Sequence, residues 1–442
     1  MSLPTSLKEL VKKLIPRSSL LAYHRAVAWL AATLYGNPSR KMIVVGVTGT
    51  KGKSTTSNVI WHVLTQAGFK VGLTGTVNYR IADKNCISPY KMTMVGRFKL
   101  QKMLRDMVRA GCTIAVVETT SEGIMQHRHR YIAYDVCVLT NLSPEHLEAH
   151  GGFENYKQAK LELFRHLERL PRKTLRGKVA PRASVINLDN EFSADFMAVG
   201  TYPHITIGTN VHSDICFQRV VESLHGIDFV INDVSVHMPL LGKWNAYNGA
   251  VAVGVARALE LNEFVAITAL STAPYIPGRM EFINEGQNFS VIVDYAYEPV
   301  SLELLYQFGR KFVPQGKKLI TLISSTGGGR DTRRRPLNGK LAAQYCDEVI
   351  VTNEDPYEED PEAIMNAVFE GVKEGGKGID NHAYYIVDRR EAISKAFELA
   401  REGDIVFLTA KGAEQKMCVA GGSIPWDDRA VAREVLRKIL TN

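Results

Sequence analysis

Residues 42–56 read MIVVGVTGTKGKSTT, and this stretch limits the possible folds more than any other. Ile43 to Val45, with Val47 behind them, form an apolar run of the kind buried on both faces in a parallel sheet. Thr48 to Ser54 then turn into a segment carrying Val59, Ile60, Val63 and Leu64 at helical spacing. Strand, glycine-containing turn and helix in that order make a phosphate cradle. Gly49 and Gly52 let backbone N–H groups approach phosphate oxygens, and the helix N-terminus adds partial positive charge. Lys53 is placed to reach terminal phosphates and Ser54 to hold Mg²⁺. The strict G-x-x-x-x-G-K-[ST] spacing is missed by one place, because Val47 stands where the first glycine belongs and Gly46 comes one residue early.

The chain is 442 residues long and 45% apolar, which suits two or three globular domains of roughly 150 residues each. Cys86, Cys112, Cys137, Cys216, Cys346 and Cys418 form no C-x-x-C pair, so they read as reduced thiols of a cytoplasmic protein rather than a zinc site or disulfide frame. A net charge of +8 suits anionic ligands such as ATP or a nucleotide sugar, and no nucleic-acid-binding motif accompanies it. Residues 1–40 read as a helical preface. Leu20 to Tyr35 are apolar but interrupted by His24 and Arg25, and the run is shorter than the ~20 residues of a spanning helix. A packed helix is the expectation, with an interfacial one as the alternative given Lys8, Lys12, Lys13 and Arg17 upstream. No small-residue cleavage pattern follows, so export is not expected.

From Lys41 to Pro277 strand-like and helix-like segments alternate, which predicts a mostly parallel sheet with helices on both faces and ligands at the strands' carboxyl ends. Thr113–Glu118 and Val136–Asn141 read as strands ending in polar groups at the same edge as the loop.

Ten segments taken in order resemble the Mur ligase family. They are TGTKGKS at 48–54, ETTSEGIMQHR at 118–128, TNLSPEHLEAHG at 140–151, YKQAK at 156–160, LLGKWNAYN at 240–248, PGRME at 277–281, VDYAYEP at 293–299, GGGRDTRRRP at 327–336, NEDPYEEDP at 353–361 and AKGAEQ at 410–415. The resemblance spans roughly residues 41–430 and is nearest the type that adds the third peptide residue to UDP-N-acetylmuramoyl-dipeptide. It implies an α/β chain in which, after the helical segment read at 1–40, a central P-loop ATPase domain with a mostly parallel sheet occupies 41–277 and a C-terminal Rossmann-like domain 278–442. It also implies a cytoplasmic monomer without membrane contact. ATP, Mg²⁺ and a carbamylated lysine would serve as cofactors, and a nucleotide-sugar peptide and an amino acid as substrates.

Carried residue by residue, the resemblance assigns nucleotide contacts to Thr48, Gly49, Thr50, Lys51, Gly52, Lys53, Ser54, Thr55, Asn245, Asn248, Arg279 and Asp294. Ser54, Glu118 and His146 resemble the Mg²⁺ ligands, and Lys160 the lysine that CO₂ converts to an anion able to orient a second Mg²⁺. Lys53 and Arg330 would neutralise charge on the transferring phosphate. Thr93, Thr120, Ser121, Arg128, Asp355, Tyr357 and Glu414 fall at substrate positions. His150, four residues after His146, reads equally as a ligand or as a packing residue. The implied chemistry is attack of a carboxylate on the ATP γ-phosphate, followed by displacement of phosphate from the acyl phosphate by an amine.

The departures are specific. Only 40 residues precede Lys41, where the family carries a separate uridine-binding domain. Glu354-Asp355-Pro356-Tyr357 replaces D-N-P-R, whose arginine selects diaminopimelate, so Glu354, Asp355 and Glu414 are expected to form an acidic wall favouring lysine or ornithine. An arginine from 330 or 333–335 could restore the clamp. The basic run Arg165–Arg182 reads as an added solvated loop, alternatively one touching a phosphate-bearing substrate. Three rivals have signatures of their own. A folylpolyglutamate synthase should show Asp-Gly-Ala-His-Asn-Pro in place of Asp294–Pro299, an amidating partner subunit a four-cysteine zinc insertion, and a non-enzymatic module the loss of Glu118, His146 and Lys160.

Overall fold

The apolar run at 43–47 sits at the centre of the larger of two successive sheets in this computed structural model, which describes residues 17–144, 150–329, 331–379 and 381–441. In space, Val71–Thr74, Ile114–Glu118, Ile43–Thr48, Val136–Leu139, Ala183–Asn187 and His204–Gly208 lie side by side and parallel. Val47 pairs with Glu118 and Thr48 with Leu139, so three carboxyl ends meet at one edge. The hairpin Asn78–Ile81 and Lys84–Ile87 extends one side of the sheet. On the other side Ile215–Ser223 continues in parallel, and Gly226–Ile231 and Val234–Met238 follow antiparallel.

Burial on both faces explains the unbroken apolar strands. Helices Lys53–Gln66 and Asn245–Ala258 cover one face through Val59, Val63, Ala250 and Val253, and Arg97–Arg109 and Phe153–Arg169 cover the other through Leu104, Met107, Leu163 and Phe164. Gly46 belongs to this packing. A Cβ there would lie 2.7 Å from the Tyr134 ring, so its early position in the motif reflects the strand's neighbour and not a phosphate contact.

The second sheet runs Glu281–Ile283, Ser290–Val293, Ile405–Leu408, Leu319–Ile323, Glu348–Val351, His382–Tyr385 and Gly378–Ile379, all parallel except the first. Helices Pro299–Phe312, Arg334–Tyr345 and Pro361–Glu374 pack on one face, and Arg389–Leu399 and Asp428–Thr441 on the other.

The helix Arg17–Leu34 buries Ala28, Ala31 and Ala32 against the first domain while Tyr23, Trp29, Leu30 and Leu34 stay exposed. Among the described residues no helix is long and apolar enough to cross a membrane.

One expectation for the basic run 165–182 is overturned. Arg172, Arg176 and Lys178 are exposed around a small hairpin, Thr174–Leu175 with Lys178–Val179, but Lys173 is buried. Its ammonium is 2.5 Å from the Asp135 carboxylate and donates to the carbonyls of Ser39, Met42 and Ala133 at 2.7–2.9 Å. Met42 lies at the amino-terminal end of its strand, opposite the loop, so Lys173 is a strut remote from any phosphate. Burial raises the Asp135 carboxyl to about 6 despite Lys173, and depresses the Lys173 ammonium. Lys173→Met is therefore expected to cost about 3–5 kcal/mol, since it strands a buried carboxylate and three carbonyls. Urea denaturation measures this, and activity per folded molecule should be unchanged.

Candidate active site

The turn after Ile43–Thr48 takes the shape that a phosphate cradle needs. Gly49 has φ 151° and Gly52 has φ 79°, and a Cβ on Gly49 would fall 1.9 Å from Thr140 Oγ1. Thr140 and Asn141, at the end of the neighbouring strand, clamp the loop from outside. Thr140 Oγ1 and Asn141 Nδ2 donate to the Lys51 carbonyl, and Asn141 Oδ1 accepts from the Lys51 N–H. Thr50 Oγ1 is held by the Ser143 N–H and by the Tyr156 hydroxyl. Lys53 folds back, donating to the carbonyls of Gly49 (3.0 Å) and Thr50 (2.8 Å). Thr48 is fully buried beneath the loop, and Thr55 lines the cleft in front of it.

Glu118 is 1% exposed and accepts from Ser54 Oγ at 3.0 Å, from the Thr76 N–H at 2.8 Å and from Thr76 Oγ1 at 3.0 Å. Among the described residues no ion pair reaches this carboxylate. A buried anion ringed by hydroxyls at a phosphate loop fits a hard divalent cation. No three His, Cys, Asp or Glu side chains cluster as a ready-made metal site among the described residues; of these residues, Ser54 and Glu118 are the ones placed to hold such a cation. His146 and Arg330 lie outside the described residues. Thr93 Oγ1 lies 2.8 Å from Thr76 Oγ1; the single Thr76 hydroxyl proton goes to Glu118, so Thr93 donates to Thr76 and joins the Glu118 network.

Lys160, on the helix Phe153–Arg169, is 1% exposed and donates to the Gly49 carbonyl at 2.7 Å, with its ammonium 4.4 Å from the Tyr156 ring centre. His150 Nε2 is 3.2 Å from Ser121 Oγ, Thr120 caps the following short helix through the Gly123 N–H, and Arg128 donates to Met94 O and Gln126 Oε1.

The second sheet brings its carboxyl ends to the same place. Asp294, directly after Ser290–Val293, accepts from the N–H groups of Met280 and Ala296, both at 2.7 Å. Burial raises its carboxyl above the usual range, although Arg279 and those donors oppose the rise. The Arg279 guanidinium stacks 4.5 Å over the Tyr295 ring. Asn248 accepts from Thr56 and donates to Asn245, which donates to the Leu241 carbonyl, so these amides chiefly hold one another and the helix behind the loop. Lys51 Nζ donates to Ser301 Oγ across the cleft. The cleft has a volume of about 830 Å³ and is lined by the loop, Glu118, Lys160, Asn248, Arg279, Asp294 and Glu414.

The expected acidic wall is not found. Glu354 is turned inward and accepts from Ser324 Oγ (2.9 Å) and Thr326 Oγ1 (2.6 Å). Asp355 is buried between Lys411 and Lys91, and these two ammonium groups hold its carboxyl below the usual range although burial alone would raise it. Only Glu414 keeps partial exposure, and it too is paired, with Lys91 at 2.9 Å and Lys411 at 2.6 Å. Nor do arginines 333–335 restore a clamp. Arg333 pairs with Asp331, Arg334 with Glu298 and Arg335 with Glu359. Tyr357 has φ 54° and its ring rests over Gly328. Behind these loops the buried Arg389 takes Asp428 bidentately at 2.6–2.8 Å and reaches Thr409 O, Asn353 O and Ser324 Oγ, tying three strand ends together.

Comparison with known proteins matches the Mur ligase middle domain at residues 47–256 and the Mur ligase, glutamate ligase domain at 278–412. The chain is 35% identical over 426 residues to a UDP-N-acetylmuramyl-tripeptide synthetase of Roseiflexus sp. (strain RS-1), covering 94% of this chain and 82% of that one. It is also 35% identical over 418 residues to a UDP-N-acetylmuramoyl-L-alanyl-D-glutamate--2,6-diaminopimelate ligase of Geobacillus thermodenitrificans (strain NG80-2), covering 94% and 83%. A solved structure of a diaminopimelate ligase of the same name superposes with a TM-score of 0.62 at 28% identity, over 90% of this chain and 79% of that one. The folylpolyglutamate synthase of Mycobacterium tuberculosis, at 16% identity and a TM-score of 0.68 over 94% and 95%, shares the fold.

Proposed function

The chain belongs to the Mur ligase family, whose members are ATP-dependent ligases that form peptide bonds, and we propose that it adds the third residue to the stem peptide of UDP-N-acetylmuramoyl-dipeptide as a cytoplasmic monomer. It is an ATP-dependent ligase of peptidoglycan assembly. The observation that carries the finer reading is the single cleft lined by a phosphate loop from one sheet and by Arg279, Asp294 and Glu414 from the other. Two substrates and a nucleotide must meet for this reaction, and a cleft between two domains brings their binding groups together by closure.

In this reading the triphosphate lies along residues 48–55, and Asp294 takes the ribose hydroxyls. Lys53 leaves the Gly49 and Thr50 carbonyls to meet the γ-phosphate, where a fixed cation opposes the charge that develops during transfer. Ser54 and Glu118 would hold Mg²⁺, which supplies further charge neutralisation when bound. Lys160, beside the Gly49 carbonyl, is the residue we assign to carbamylation. Thr93, Thr120, Ser121 and Arg128, all on the cleft wall, would position the muramoyl peptide so that its carboxylate meets the phosphate in line.

The test is phosphate release from ATP with a panel of amino acids and two acceptors, UDP-N-acetylmuramoyl-dipeptide and folate. Release that requires the muramoyl acceptor together with one amino acid is expected. Release with folate and glutamate alone would transfer the chain to the folylpolyglutamate class.

A further inference from the structure

Building on the ligase reading, we propose that Lys91 determines amino-acid specificity: its ammonium fills an alkylammonium subsite in the cleft, so the incoming amino acid is one whose side chain carries no ammonium group.

Four charged groups form a closed alternating ring. Lys91 pairs with Asp355 and with Glu414 at 2.9 Å, and Lys411 pairs with the same two carboxylates at 3.1 and 2.6 Å. Three of the four come from the second domain, and Lys91 reaches in from the loop after the hairpin of the first. The ring has an inner and an outer half. The side chains of Lys411 and Asp355 are 0% and 4% exposed, whereas those of Lys91 and Glu414 are 16% and 17% exposed and line the cleft. The Asp355 carboxylate is fixed from behind by the Cys418 N–H at 2.6 Å, and Lys411 also donates to the Lys416 carbonyl. The inner half is therefore built in, and the outer ammonium is the exchangeable member.

Two carboxylates arranged to receive an ammonium on an alkyl chain would serve a substrate amine equally well. Lys91 is such an amine already tethered. A tethered group competes at an effective concentration in the millimolar range or above, so a free amino acid at lower concentration does not displace it. Nor does the ring accept a third ammonium beside the two present, because two positive and two negative charges already balance and an added cation would stand uncompensated in a half-buried site. The only ring member supplied by the first domain is Lys91, so the same contact draws the domains together before any amino acid binds.

The experiment compares wild type, Lys91→Met and Lys91→Arg, all checked for equal thermal midpoints. Calorimetric titration with n-butylammonium chloride and with L-lysine reads the subsite directly, without turnover. Lys91→Met should bind n-butylammonium at least tenfold more tightly than wild type, and Lys91→Arg should behave as wild type. In the ligation assay Lys91→Met should raise kcat/KM for lysine relative to alanine at least tenfold, through KM. Equal n-butylammonium affinity in wild type and Lys91→Met, a wild-type preference for lysine, or an equal loss with every amino acid would overturn the proposal. If the chain released no phosphate with any acceptor, the ligase reading would fall while the titration still decided whether Lys91 fills an ammonium site.

Discussion

Lys53→Ala is expected to lower amino-acid-dependent phosphate release by about 10²–10³-fold or more while leaving the circular dichroism spectrum and thermal midpoint close to wild type. The size follows from where the ammonium can go. In the structure it donates to the Gly49 and Thr50 carbonyls, acceptors on a loop that Asn141, Thr140 and Tyr156 hold independently, so the loop keeps its shape without it. The transition state loses a cation next to the γ-phosphate, at a partly buried position where charge compensation counts for more than in open water. Lys53→Arg should recover only part of the rate, because a planar fork cannot curl between the same carbonyls and phosphate oxygens as a point charge does. A Lys53→Ala enzyme with wild-type turnover would remove the loop from the mechanism.

The loop itself was readable because local rules act within it: an apolar strand, two glycines and a Lys-Ser pair all lie within a few residues of one another. The strands Ile114–Glu118 and Val136–Leu139 were readable for the same reason, since burial on both faces leaves a continuous apolar signature, though the second stops two residues before the expected Asn141. What escaped were partnerships across long separations. Thr76, which gives Glu118 two of its hydrogen bonds, sits in an ordinary turn with no motif. Lys91 meets Asp355 across 264 positions, and no pattern in either segment announces the other. The acidic wall at 354, 355 and 414 was misread because sequence shows the charges of a segment and not the cations folded against it. Lys173 fails in the opposite direction. A lysine in a basic run looks solvated, yet this one neutralises Asp135 and satisfies three carbonyls in the interior.

Lys160 separates two chemistries that share one geometry. Its nitrogen lies 2.7 Å from the Gly49 carbonyl in a buried position on the phosphate loop, and either an ammonium or a carbamate could act there. An ammonium would meet phosphate oxygens directly. A carbamate, formed when the neutral amine adds CO₂ and releases a proton, would instead present an anion to a bound divalent cation, which is the role we assign to it. Lys160→Ala is expected to lose at least about 10²-fold in phosphate release, in line with removal of one preorganised charge from such a site. The replacements then point in opposite directions. Under carbamylation, Lys160→Arg should be as inactive as Lys160→Ala, and millimolar acetate or propionate should restore part of the Lys160→Ala activity by refilling the anionic position. If the ammonium is the working form, Lys160→Arg should keep most of the rate and a short alkylamine, not a carboxylate, should rescue Lys160→Ala. Depleting CO₂ from the wild-type assay supplies the third arm: activity that falls and returns with added bicarbonate supports the carbamate, and activity indifferent to bicarbonate together with amine rescue rejects it.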